Sequence, residues 1–260
     1  MCEYTRQGPH KKLQMKRRAP AATGFQPDLY SFTGPMIDNP TVLETEFLQP
    51  IDDRGAKALT ALEAGAGADD IDRRGLVQFV LSMMYRSPER ILYLENSLRN
   101  ELAEAPILLA AHPSIYRHGA LGTFAQLVQS ERTLPRLMQM SIVPMVTKAK
   151  CFDFLTSDCP IIMSHGIAEP DGFIILPTGP KSFLLLYGNP KIPEFLARQP
   201  ANRLSARLND AVALQAKEMI FAVDDRQNRF IENRLRRMPG EHDRLLNPIS
   251  GMIPFRWRID

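Results

Sequence analysis

The chain has 260 residues, 44% of them hydrophobic and 23% charged, which is the composition of a folded globular protein rather than of a disordered or fibrous one. No uncharged apolar run approaches the roughly twenty residues that a membrane-spanning helix needs. Three cysteines in a chain this long exclude a disulfide framework and suit a reducing compartment.

The formal charge of +3 is unevenly placed. Residues 1–18 hold Arg6, Lys11, Lys12, Lys16, Arg17 and Arg18 against Glu3 alone, and the other 242 residues carry 26 basic and 28 acidic groups. The body of the chain is therefore close to neutral. Only the first segment can serve as a phosphate-binding arm, because each neutralised phosphate releases counterions and adds salt-dependent affinity. The competing expectation is a solvated, mobile tail over residues 1–24. No apolar stretch follows the basic residues, so no export signal is read, and a cytoplasmic location with no membrane contact is expected.

From residue 41 the pattern is helical. Val42, Leu43, Phe47, Ile51, Ala58, Leu59 and Leu62 recur at helical spacing, with Pro50 placed to open a second helix at its first turn. Gly65 and Gly67 end that helix, and Asp69 or Asp70 caps the next. The next helix, up to Tyr85, is apolar nearly all round, with Arg74, Gln78, Ser82 and Arg86 spaced four apart on one stripe. Such a stripe is either a solvent edge or the lining of a polar pocket. Ser87-Pro88 repeats the cap-plus-proline signal for a helix to Ala105, with Leu94, Leu98 and Leu102 on its buried face. A further helix is expected over Gly119–Glu131.

After Pro135 the period changes. Ile142–Val146, Phe152–Leu155, Ile161–Met163, Phe173–Leu176 and Phe183–Tyr187 are short β-branched and aromatic runs separated by Gly and Pro turns. Residues 202–219 return to helix, with Leu204, Leu208, Val212 and Gln215 along one face. Residues 220–223 read as a closing strand and 227–237 as a short basic helix. The fold class that follows is α+β: a helical N-terminal half, then a small, mainly antiparallel sheet with a C-terminal helix. The organisation expected is one domain over residues 25–238, with a C-terminal extension over 239–260.

Four constellations are candidates for chemistry. In Phe154-Leu155-Thr156-Ser157-Asp158-Cys159-Pro160 an apolar strand delivers a hydroxyl and a carboxylate into a proline-fixed turn. Asp158 can ligate a metal or act as a base there, with Ser157 beside it; both residues are equally good turn formers. Cys151, Cys159 and His165 offer soft ligands, but the two cysteines are too far apart for the usual zinc pairing. His112 and His118 flank Tyr116 and Arg117. Thr178-Gly179-Pro180-Lys181-Ser182 lacks the second glycine of a phosphate loop and is rejected as one.

The run from Phe154 to Ile162 resembles the Phe-[Ile/Leu]-Thr-Ser-Asp-Asn-Pro-Val motif of the bacterial domain-of-unknown-function family 4238. Ile175–Lys181 is similar to that family's following strand and turn, and Phe25–Tyr30 to its Asp-Leu-Tyr segment. Glu44 and Phe47, Arg86-Ser87-Pro88 and Asn209 fall in similar order, so the resemblance spans about residues 25–225. Members usually open with a His-His-x-x-Pro-x-x-Tyr-Leu segment, which nothing here reproduces. The resemblance implies a fold more than a reaction. Two functions from different classes are expected from this reading. One is a ligand- or partner-binding domain that needs no cofactor, with nucleic acid a candidate partner through the basic first segment. The other is a metal-assisted hydrolase of phosphodiesters, with Asp158 and Asp153 holding a divalent metal.

Overall fold

The computed structural model describes residues 1–7, 11–20, 23, 26–34, 37–102, 114–147, 150–164, 169 and 171–235. The chain forms two compact units, one of Met1–Phe25 with Gln139–Asp260, the other of Gln26–Met138. The class is α+β, as the hydrophobic periods imply. Among the described residues no helix is long and apolar enough to cross a membrane.

The unit of residues 26–138 is helical. A π-helical run, Leu43–Leu48, leads without a break into α1 (Gln49–Glu63), so Pro50 does not open a separate helix but lies within a continuous helical run, where it supplies no N–H to the preceding turn. Gly65, at φ +77°, follows the helix end. Asp69 caps α2 (Asp70–Tyr85) by accepting from the Asp72 N–H at 2.7 Å. Ser87 caps α3 (Pro88–Glu101) by accepting from the Arg90 N–H at 3.3 Å. α4 (Ile115–Val128) and α5 (Leu134–Gln139) complete the unit. α3 differs from its expected burial: Ile91 is its buried residue, whereas Leu102 is 39% exposed at the helix end.

The polar stripe of α2 is not a pure solvent edge. Arg74 is exposed, but Gln78 and Ser82 are buried, and Ser82 Oγ donates to the Phe79 carbonyl at 2.8 Å. Arg86 ties α2 to α1 through Asp52 at 3.0 Å, its guanidinium 5.2 Å from the Phe79 ring centre. The two helices approach so closely that a Cβ on Gly75 would lie 2.4 Å from Arg54 Cβ.

The other unit holds two four-stranded antiparallel sheets. In the first the order is β2-β1-β8-β4, with β1 Cys2–Thr5, β2 Gln14–Arg17, β4 Thr156–Ser157 and β8 Met219–Ala222. In the second it is β3-β7-β6-β5, with β3 Ser141–Val146, β5 Ile162–Met163, β6 Phe173–Pro177 and β7 Ser182–Tyr187. Helices α6 (Lys191–Arg198), α7 (Ala201–Gln215) and α8 (Asn228–Glu232) belong to the same unit. Its core joins both sheets to α7, through residues such as Phe154, Leu155, Leu185, Leu208, Val212 and Ile220.

The first segment corrects the expectation of a mobile tail. Cys2 lies opposite Ala222 and Thr5 opposite Met219, so β1 is an inner strand, and Tyr4 is fully buried. Arg6 is itself buried and donates to the carbonyls of Glu232 at 3.0 Å and Leu235 at 2.9 Å, where the end of α8 leaves acceptors. Only β2 is exposed along its whole length. The second sheet's edge strand β3 carries Pro144 instead. Thr147 N–H bonds Lys181 O at 2.8 Å, and alternation along the ladder then turns the Pro144 nitrogen to the open side, where it blocks strand addition.

Candidate functional site

The Thr-Ser-Asp segment is held from three sides within its unit. Asn209, buried on α7, accepts from the Leu155 N–H at 2.9 Å and donates to the Asp153 carbonyl at 2.9 Å and to Gln227 Oε1 at 2.9 Å. Gln227 Nε2 donates to the same Asp153 carbonyl at 2.8 Å. Two turns on, Gln215 donates to the carbonyls of Cys159 at 2.6 Å and Ile161 at 2.8 Å. Leu204, Leu208, Val212 and Gln215 share the buried face of α7, so the apolar spacing that docks the helix also delivers its amide to the segment.

Asp158 lies in the turn after β4. Its Oδ1 accepts from the Lys217 N–H at 2.9 Å, and its Oδ2 from Glu218 N–H at 2.6 Å and Met219 N–H at 3.1 Å. Its own N–H bonds the Met219 carbonyl at 3.2 Å. The carboxylate thus clasps the entry to β8. Burial pushes its proton affinity above the ordinary carboxylate value, and the three backbone N–H bonds pull in the opposite direction. Ser157 is buried, and its Oγ accepts from the Cys159 N–H at 3.1 Å, which closes a local turn.

Asp153 has different partners. Its Oδ1 meets Lys181 Nζ at 2.9 Å and its Oδ2 meets Arg226 Nη2 at 3.0 Å. Lys181 also donates to the Cys151 carbonyl at 2.5 Å, and the neighbouring Asp153 raises its proton affinity. Asp153 and Asp158 share none of these partners, and among the described residues no three His, Cys, Asp or Glu side chains gather as a metal site would need. Cys151, Cys159 and Cys2 are free thiols. His118, on α4, accepts from the Thr33 N–H at 3.1 Å through Nε2 and meets Phe32 edge-on. His112 and His165 lie outside the described residues. The 178–182 segment is the β6–β7 turn, closed by Thr178 and Gly179 N–H bonds to the Ser182 carbonyl at 3.1 Å.

The second notable feature of this unit is its basic rim. Arg18 N–H bonds Met1 O at 3.0 Å, and alternation along the β1–β2 ladder leaves the Met15 and Arg17 backbone groups facing away from β1. Lys11, Lys12, Lys16, Arg17 and Arg18 are all exposed along this edge. Arg18 pairs with Glu3 at 3.2 Å and Arg17 reaches Asp225 at 3.8 Å. Among the described residues Lys11, Lys12 and Lys16 meet no carboxylate. Arg226, which also bonds Asp224 at 2.6 Å, continues the rim toward Asp153 and Lys181.

The roles of Gln227 and Lys181 were not legible in the sequence. Asn209 carried a signal, since a buried-face position in an apolar helix seldom holds an amide without a backbone to satisfy. No curated protein and no solved structure matches the chain. A family model described as a protein of unknown function (DUF4238) matches residues 2–226, which takes in β1, the clasped Thr-Ser-Asp segment, α7 and β8. With nearly nine-tenths of its length so matched, the chain belongs to the DUF4238 family.

Proposed function

We propose that this protein is a binding domain whose partner is a polyanion, with nucleic acid as the class and the basic rim of the two-sheet unit as the contact surface. The observation that carries the reading is the open edge of β2. The strand carries the exposed Lys16 and Arg17, with Lys11 and Lys12 before it and Arg18 after it also exposed, and the outward N–H groups of Met15 and Arg17 add donors of the kind that position phosphates. An isolated charged edge strand also discourages strand pairing between copies. What favours a ligand is that Lys11, Lys12 and Lys16 meet no carboxylate among the described residues, whereas Arg226 and Lys181 beyond the strand are paired with Asp153 and Asp224. Three free cysteines support a reducing, cytoplasmic setting.

The hydrolase reading asks Asp158 to surrender three N–H bonds and Asp153 two cations before either holds a divalent metal. No observation favours that exchange, and binding is the better-supported function.

The test is titration of a labelled mixed-sequence duplex DNA with wild type and with K11E/K12E/K16E, at 50 and 200 mM salt. Wild-type affinity falls steeply with salt. If the three lysines each neutralise a phosphate, the variant's log–log slope is shallower by about 2.7, at ~0.9 per contact. Absence of binding at 50 mM salt, or a variant that binds like wild type, overturns the proposal.

A further inference from the structure

Resting on the polyanion reading, we infer that the preferred ligand is single-stranded nucleic acid, with the Phe152 ring as a stacking platform at the far end of the basic rim from β2. Phe152 is 57% exposed and is the one exposed aromatic among the described residues. Ile71 and Val146 are at least as exposed, but a ring offers what an aliphatic side chain does not, a flat face on which a base can stack.

The ring's backbone is immobilised on both sides. The preceding carbonyl, of Cys151, accepts from Lys181 Nζ at 2.5 Å. The following residue, Asp153, is held through its carboxylate by Lys181 and Arg226 and through its carbonyl by Asn209 and Gln227. Four side chains from β7's turn, α7 and the residues after β8 thus fix a two-residue stretch that presents an unburied ring. A backbone held in this way lowers the ordering cost of presenting the ring to a base.

A chain of ion pairs leads from the ring to β2, balanced in charge beside the ring and basic at the strand. Lys150, two residues before Phe152, is exposed. Lys181 and Arg226 meet at Asp153, and Asp225, next to Arg226, reaches Arg17 on the edge strand at 3.8 Å. Along this path Lys11, Lys12, Lys16, Arg17, Arg18, Lys150, Lys181 and Arg226 outnumber Glu3, Asp153, Asp224 and Asp225 by two to one. A backbone track ending on a stacking ring suits an unpaired strand, whose bases are free to turn onto the ring; a duplex keeps its bases stacked on one another.

The experiment measures fluorescence polarisation of a labelled fifteen-residue oligothymidylate and of a mixed-sequence duplex of equal length. Both are titrated with wild type, F152A, F152W and K11E/K12E/K16E, with melting curves for each variant. Wild type should bind the single strand more tightly than the duplex. F152A should lose roughly 5- to 100-fold on the single strand while its duplex affinity and melting hold, and F152W should restore the loss, the range being that of one base–aromatic stack. K11E/K12E/K16E should weaken both ligands. Equal single-strand affinity for F152A and wild type, or a wild-type preference for the duplex, overturns the stacking inference and leaves the polyanion reading standing. No binding of either ligand overturns both.

Discussion

Removing the Asp158 carboxylate tests whether the family's most distinctive segment is a clasp. The Asp158→Ala variant takes the acceptor from three backbone N–H groups, of which those of Lys217 and Met219 are partly buried while that of Glu218 is exposed and can turn to water. An orphaned buried donor costs about 1–3 kcal/mol, so two partly buried donors give about 2–4 kcal/mol. Release of a carboxylate that burial disfavours returns part of this, which leaves a net loss of about 1–3 kcal/mol. For a chain of this size that is roughly 2–12 °C in Tm. Asp158→Asn keeps one acceptor oxygen and should lose about half as much. Urea denaturation followed by circular dichroism measures the loss. The midpoint of the transition that reports the two-sheet unit should fall with its slope unchanged. An Asp158→Ala protein within about 0.5 kcal/mol of wild type would refute the clasp. A second refutation is a melting shift with Mn²⁺, Mg²⁺ or Zn²⁺ that the variant loses, since an ion bound only to the native state stabilises it by mass action.

Four further outcomes follow from named contacts. Asn209→Ala removes two buried hydrogen bonds and one part-buried one, which hold Leu155, Gln227 and Asp153, and should cost about 2–4 kcal/mol in the same denaturation assay; a loss under 1 kcal/mol would show the segment is held without it. Gly75→Ala drives a Cβ to 2.4 Å from Arg54 Cβ and should destabilise by about 1–3 kcal/mol, whereas Gly122→Ala, with nothing within 4 Å, should gain about 0.5–1 kcal/mol from helix propensity, and reversed signs would refute the close approach of α1 and α2. Tyr4→Phe removes a buried hydroxyl with no partner among the described residues, and should leave thermal stability unchanged or raise it by up to ~1 kcal/mol, a clear loss meaning that the hydroxyl is bonded. Burial pushes Tyr4 and Tyr30 up to about 12 in the folded chain, against about 10 unfolded, so the stability they contribute is full below pH 10 and is lost as pH rises from 10 to 12. Tyrosinate absorbance, recorded for wild type, Tyr4→Phe and Tyr30→Phe, should show these two groups ionising late, and ordinary titration of both in the folded protein would contradict the burial.

Local chemistry made much of the helical unit readable. Asp69 and Ser87 cap the helices they precede because an N-cap bond spans only three residues, whereas Pro50 misled, since the π-helical run before it makes one continuous helix. The strands β3, β6 and β7 were legible for a similar reason, since alternating or continuous apolar runs between turn residues need no distant information. The same periodicity gave too much weight to Leu102, because a helix end has fewer neighbours than its middle.

What only the tertiary structure decided is everything that depends on partners far along the chain. Cys2–Thr5 is a four-residue run followed by a basic stretch, and nothing local marks it as an inner strand; its partner, β8, lies more than 200 residues away. Asp158 reads equally as ligand, base or turn former until Lys217, Glu218 and Met219 bring their N–H groups to it across about sixty positions. The cations of the first segment were visible from composition, yet their meaning changed when β1 anchored them as a rigid edge. Phe152, read as part of a strand, is an exposed ring between Cys151 and Asp153, which Lys181, Arg226, Asn209 and Gln227 hold. A carboxylate or a ring has no role of its own in sequence: burial and hydrogen-bond partners assign it, and those are set by the packing of elements that are distant in the chain.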